Sequence, residues 1–475
     1  MNKKYIKNPD VIYCLLTALF ILIYGGFMLW CSMHTEALVP DEKWFLKIIK
    51  NDVRLDSIKS LIYTPNYLGY GSIYWILMGI LGNFRMMRLV SGIALISILA
   101  CLILTLKLWK VEKKVVFYST AIYLSAPLTW FTGKMIGPEI LGYATGVWGG
   151  YFVLRSCENC TSGKRSAILG WILLGISIGI KLNYICLAAF SGIYILLDSF
   201  YQKEIKPETI KTLLKRIAYA ALGSLAGFVI SSPIFILNTK QYFEELGGVY
   251  SDFSLKYLDN VLNRTWIEWD LVNSGGMTNT IISIWAFFAI FILGLKFSKK
   301  KISVYSACIS SIFLILISCK SRFLGWYLLP IIFLSSLSVS NSRWMILIIC
   351  INLCCMHTNI EYQIKSKIEQ IQNVESIDAI ENVIHIYNEK YPNYEPYYLV
   401  ETCIDQLPFN YKTVDDIIKS SNNKIIYISQ RARANGGIEN IYMMGKEERN
   451  RYRILEDNIN STNISIIIYE GNENY

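Results

Sequence analysis

Long apolar runs recur from Val11 to about His357, broken only by short charged loops, and each is roughly 17 to 25 residues long, enough to cross a bilayer as a helix. Backbone groups in hydrocarbon have to be paired within their own segment, so such runs fold as helices and the chain reads as an all-α polytopic membrane protein. Its 53% hydrophobic and 17% charged residues, with a mean hydropathy of +0.36, exceed what one soluble core requires. The pattern stops near residue 360, which predicts a transmembrane domain over 1–360 and a separate domain over 361–475.

Residues 361–475 contain 12 Lys+Arg against 18 Asp+Glu, so the net charge of +10 originates in residues 1–360. Those cations lie in loops between spans, which fits orientation by positive cytoplasmic loops and argues against a nucleic-acid-binding face. Lys3, Lys4 and Lys7 precede the first run, Val11 to Cys31. That run is too long for a signal-peptide core and lacks a small-x-small cleavage site, so it is expected as an uncleaved span with a cytoplasmic N-terminus. Later spans are expected near 89–106, 115–132, 137–154, 166–182, 184–200, 216–237, 277–295, 302–319, 323–340 and 343–358, about eleven in all. Ser72 to Phe84 is short and reads as interfacial or re-entrant. Alternation then puts loop 32–71, residues 132–137, Lys181, loop 238–277, residues 319–322 and the C-terminal domain outside the cell membrane. Loop 32–71 has an amphipathic pattern around Trp44, Phe45, Ile48 and Ile49.

Most of the 12 cysteines sit inside apolar runs, where a thiol acts as a small hydrophobe. Cys157-x-x-Cys160 has no second pair, and three histidines without HExxH argue against a His-built metal centre. The spacings Gly133/Gly137, Gly142/Gly146 and Gly175/Gly179 suit close helix packing. The tail opens with a helical stretch from Glu361 to about Glu389. Two β-branched runs, 424–428 and 464–469, follow, so a small α/β domain is expected.

Four ionisable clusters converge on the predicted outer face. Asp41 and Glu42 follow Pro40 just beyond the first span, a costly place for two carboxylates unless water, a cation or a substrate meets them. Lys134 and Glu139 flank Gly137-Pro138, where proline suits a helix start and Glu139 a first turn. Lys181 lies in Gly179-Ile180-Lys181-Leu182-Asn183. Lys320-Ser321-Arg322 precedes Phe323 to Pro330, with Tyr327 about one helical turn from Arg322.

In order and position relative to the spans, these features resemble the GT-C fold glycosyltransferases, and within them glycosyltransferase family 39 with its bacterial relatives. Those relatives include protein O-mannosyltransferases and the lipid A aminoarabinose transferase. The motifs behind the resemblance are Pro40-Asp41-Glu42, Phe84-Arg85-x-x-Arg88-Leu89, Gly137-Pro138-Glu139, Gly179-x-Lys181 and Arg322 to Pro330, spread over most of residues 1–340. The resemblance implies inverting transfer of a sugar from a polyprenyl-phosphate carrier to a hydroxyl on a glycan, lipid or protein. Asp41 would be the general base, paired with Glu42 and raised in pKa by that neighbour and by burial. Arg322 and Lys181 first, then Lys320 and Lys134, would stabilise the departing phosphate.

Plainer readings stand beside these. Asp41 and Glu42 are also the acids expected at a helix start, Arg85 and Arg88 serve equally as snorkelling anchors, and Glu139 as a helix cap. Tyr327 suits an aromatic belt as well as a phosphate oxygen. Relatives often have a further acid before a proline in the first outer loop. Here Ile62-Tyr63-Thr64-Pro65-Asn66 has the proline alone, so a divalent cation is compatible with the sequence but not required by it. Two other functions compete. A transporter or flippase of lipid-linked saccharide would place charges in mid-membrane and show repeats, and neither is seen. An oligosaccharide polymerase or ligase needs a large outer loop, for which 238–277, with Trp266 and Trp269, is the candidate. The abundance of Lys, Asn, Ile and Tyr suggests an AT-rich bacterial source.

Overall fold

The computed structural model describes residues 9–34, 84–126, 129, 138–158, 163–201, 207–240, 242–244, 254–258, 277–319, 328–354, 384–399, 422–429, 452–456 and 464–470. Those up to Cys354 form one unit and those from 384 onward a second.

In the first unit, α1 (Pro9–Phe20) runs through a π turn (Ile21–Gly25) into α2 (Gly26–His34). Phe20 and Gly26, on either side of the π turn, keep helical dihedrals, so the first span is continuous. Next come α3 (Phe84–Leu108), α4 (Lys113–Ser125), α5 (Pro138–Glu158), α6 (Gly163–Ile180), α7 (Ile185–Tyr201) and α8 (Pro207–Ser231). After a short α9 (Ile234–Leu237) come α10 (Met277–Phe297), α11 (Lys301–Ile317), α12 (Leu329–Leu337) and α13 (Trp344–Cys354). Among the described residues, five segments are long and apolar enough to cross a membrane: Pro9–Trp30, Arg88–Leu108, Gly163–Ile180, Leu182–Phe200 and Ile210–Ser231. The chain is a membrane protein.

Two of the expected spans have displaced ends, in both cases because of proline. The span expected over 115–132 ends as a helix at Ser125. Ala126 is extended (φ −68°, ψ 119°), since the residue before Pro127 is kept out of the helical region. The span expected over 216–237 starts at Pro207, a favoured first helical residue, and stops at Ser231, two residues before Pro233.

Helix α5 packs against α3, α6 and α7, which explains its small residues and modest hydropathy. Gly149 and Gly170 meet so closely that a Cβ on either would lie within 2.8 Å and 2.7 Å of the other's carbonyl oxygen. The α6–α8 contact is tighter. A Cβ on Gly175 would fall 2.1 Å from the Ser224 carbonyl oxygen, and one on Gly227 would fall 1.9 Å from that of Ile172. Gly142 and Gly146 abut Tyr184 and Ser177, so both of these glycine pairs are packing devices, while Gly133 and Gly137 lie outside the described residues.

The loops of this unit sort into two ends. At one, Glu112 between α3 and α4 meets Lys299 between α10 and α11 at 2.7 Å and also accepts from Asn341 between α12 and α13. Trp109 stacks on Tyr194, whose hydroxyl donates to Glu158, bringing the C-terminal ends of α3 and α5 together against the C-terminal half of α7. The turns α6–α7 and the C-terminus of α11 meet at the opposite end. The described helices from α3 to α13 therefore alternate in direction as the sequence pattern required.

The second unit has a sheet of order β1-β2-β4-β3, with β1 (Glu395–Leu399), β2 (Lys424–Ser429), β3 (Tyr452–Glu456) and β4 (Ile464–Tyr469). β1 and β2 are parallel and the other pairs antiparallel. Alternation places Ile425 and Tyr427 of β2 with Ile466 and Ile468 of β4 on one face, against Ile384 of helix 384–390. The Tyr427 hydroxyl closes that core with bonds to the Ile384 carbonyl (3.3 Å) and Asn388 Oδ1 (2.7 Å).

Candidate functional site

The chain between α6 and α7 makes a sharp turn that fixes one cation. Lys181 is extended (φ −153°, ψ 119°) and leads into a 3-10 turn, Leu182–Tyr184. Its N–H donates to the Ser177 carbonyl and its own carbonyl accepts from Tyr184 N–H, both at 3.0 Å. The backbone is thus held on both sides while the side chain remains half-buried.

Two residues on, Asn183 is buried and donates from Nδ2 to Ser318 Oγ at 3.4 Å. Next to Ser318, the Cys319 carbonyl accepts from Ser254 N–H at 3.2 Å, and Ser254 Oγ caps the 3-10 turn Leu255–Tyr257 by accepting from Lys256 N–H. Residues 181–184, 254–258 and 318–319 lie far apart in sequence and meet at one end of the bundle. The start of α5 joins them, because Gly142 touches Tyr184 and Ile180, Ser177 Oγ donates to the Gly142 carbonyl at 2.6 Å, and the Tyr143 and Tyr184 rings stack. Glu139 occupies the first turn of α5, close in sequence to Gly142.

Arg88 lies near the start of α3 with 1% of its surface exposed. A snorkelling anchor keeps its charge in water, and Arg88 does not. Burying a guanidinium in a membrane unit is costly unless a partner meets the charge. The same stretch of α3 meets the end of α2, where a Cβ on Gly92 would lie 2.8 Å from Leu29 and 3.1 Å from Ser32 Oγ. Arg85 falls one turn earlier on α3. Asp41, Glu42, Lys134, Lys320, Arg322 and Tyr327 lie outside the described residues. Among the described residues, no group of three His, Cys, Asp or Glu side chains could hold a metal ion.

Sequence reading singled out Lys181 but passed over Asn183, Ser254 and Ser318. Asn183 had one visible signal, an amide at the end of an apolar run. Its partner is 135 residues away, and nothing local points to it.

No family model matches the sequence, and no curated protein matches it. Among solved structures, the chain is similar to ArnT from Cupriavidus metallidurans bound to undecaprenyl phosphate, with a TM-score of 0.57 and 12% identity over 95% of this chain and 97% of that one. The apo crystal structure of the same protein gives a TM-score of 0.56 at the same identity and coverage. At that identity the likeness establishes the fold, and the GT-C resemblance read from the motifs holds at that level.

Proposed function

We propose that this chain is a membrane glycosyltransferase that moves a sugar from a polyprenyl-phosphate carrier to an acceptor hydroxyl on the extracytoplasmic face, with inversion. The observation that carries the reading is the fold match, which spans nearly the whole of both chains and whose partner was crystallised with undecaprenyl phosphate. The same chemistry suits the bundle end that gathers Lys181, Asn183 and the 318–319 segment.

In this mechanism Asp41, assisted by Glu42, takes the proton of the acceptor hydroxyl as its oxygen attacks the anomeric carbon. The bond to the carrier phosphate breaks, and that phosphate leaves as an anion. Lys181 and Arg322 neutralise the developing charge, with Lys320 and Lys134 adding to it. Arg85, Arg88, Glu139 and Tyr327 complete the substrate-binding set. A water-excluded site strengthens each of these charge interactions.

Mass spectrometry of cell-envelope glycans from a deletion strain tests the reading. Loss of one sugar residue is expected. An unchanged glycan profile, together with uptake of labelled lipid-linked saccharide into vesicles and no new glycosidic bond, would replace the transferase by a flippase.

A further inference from the structure

At the end of the bundle opposite Lys181, the Glu112 carboxylate draws three loops together through Lys299 and Asn341. Those loops are dense in cations: four lysines within 107–114, four within 296–301, and Arg343. Glu112 is the single carboxylate in these loops and is already engaged. The cations remain in excess. Asp10, at the start of α1, is at the same end as the start of α4, where Tyr13 packs on Phe117.

One of these lysines is held at a conformational cost. Lys110 has φ 53°, the left-handed region that disfavours a side chain. It closes α3 with paired bonds, Lys110 N–H to the Lys107 carbonyl and Val111 N–H to that of Leu106, a capping pattern that normally has glycine at this position. Glycine would fit better there, so the charge is retained against backbone preference.

Next to the cations the surface turns apolar and faces outward. Phe297 (46% exposed), Trp344 (53%) and Leu347 (51%) lie beside Lys296 and Arg343, and the Lys296 ammonium rests 5.3 Å from the Phe297 ring centroid. A soluble anion would use the cations only. A ligand with phosphate at one end and acyl chains at the other would use both features, and clusters of four to eight basic residues beside a span attract anionic head groups.

We infer that this end of the bundle is a binding site for an anionic glycerophospholipid, its phosphate on the lysines of the Glu112-tied loops and its chains along Phe297, Trp344 and Leu347. The site is independent of the transfer chemistry. Positively charged loops that merely orient the chain would need no such convergence.

The test uses purified full-length protein in vesicles of phosphatidylcholine doped with spin-labelled phosphatidylglycerol or spin-labelled phosphatidylcholine. Preferential association of the anionic probe by about tenfold is expected at low salt, collapsing at high salt, since each lysine near a membrane surface contributes about 1 kcal/mol. The K299Q/K300Q/K301Q variant loses most of the preference, whereas K164Q/R165Q, in another loop, retains it. Thermal melting checks that both variants are folded, and K110G, which relieves the backbone, melts no lower than the parent and still weakens the preference. Equal association of both probes with the parent protein would overturn the inference. So would a preference untouched by K299Q/K300Q/K301Q, or full competition by millimolar inorganic pyrophosphate, which would assign the lysines to a soluble anion.

Discussion

Asn183 Nδ2 donates to Ser318 Oγ at 3.4 Å, tying the turn that presents Lys181 to the end of α11. Removing either partner leaves the other polar group buried. N183A and S318A are each expected to cost about 0.5–1.5 kcal/mol, the range for interhelical hydrogen bonds in membranes. Because the two share one bond, the double variant should be less destabilised than the sum of the singles. Denaturant unfolding in mixed micelles measures the cycle, and strict additivity would show the bond contributes nothing.

The glycine contacts between α6 and α8 lead to a sharper contrast. G175A and G227A put a methyl group 2.1 Å and 1.9 Å from backbone oxygens, and a backbone cannot swing aside as a side chain would. Each should cost about 1–3 kcal/mol or more as the helices are forced apart. A Cβ on Gly192 meets nothing within 4 Å, so G192A should be neutral or stabilising by up to about 1 kcal/mol. Melting temperatures of the three variants, compared side by side, decide it.

Much of this was legible because a bilayer leaves a chain few options. An apolar run of sufficient length is a helix, and Gly175 and Gly179 at a spacing of four mark a close contact whatever the partner. The strands around Ile426 and Ile467 were visible from their β-branched runs. The early stop of α4 was missed, because the apolar run continues through Pro127 and length outweighed the local effect of that proline on Ala126. Asn183 was not legible, because its meaning depends on Ser318, brought near only by tertiary packing. The same holds for Glu112, which in sequence is one acid among lysines and in the fold is the knot joining three loops.

That knot predicts a pH dependence. The hydrogen bond from Lys299, chiefly, holds the Glu112 carboxyl below its ordinary value of 4.5. A depressed carboxylate pKa stabilises the fold fully above the unfolded value and loses that contribution as pH falls through the folded one. Glu112 is substantially exposed, so the effect is a few tenths to about 1 kcal/mol. E112Q should lower the melting temperature slightly at neutral pH, and the gap to the parent should close as pH falls through the lowered carboxyl value, and also at high salt. A gap that persists under both conditions would mean the side chain acts by packing.

The central claim is that one aspartate beyond the first span takes the proton from an acceptor alcohol while fixed cations receive the lipid phosphate. The direct measurement is single-turnover transfer by purified D41N protein from a polyprenyl-phosphate sugar, with binding of the carrier followed in parallel. Transfer should fall by at least about a hundredfold, the contribution of a positioned general base, while the carrier still binds. Turnover close to that of the parent protein would contradict the account.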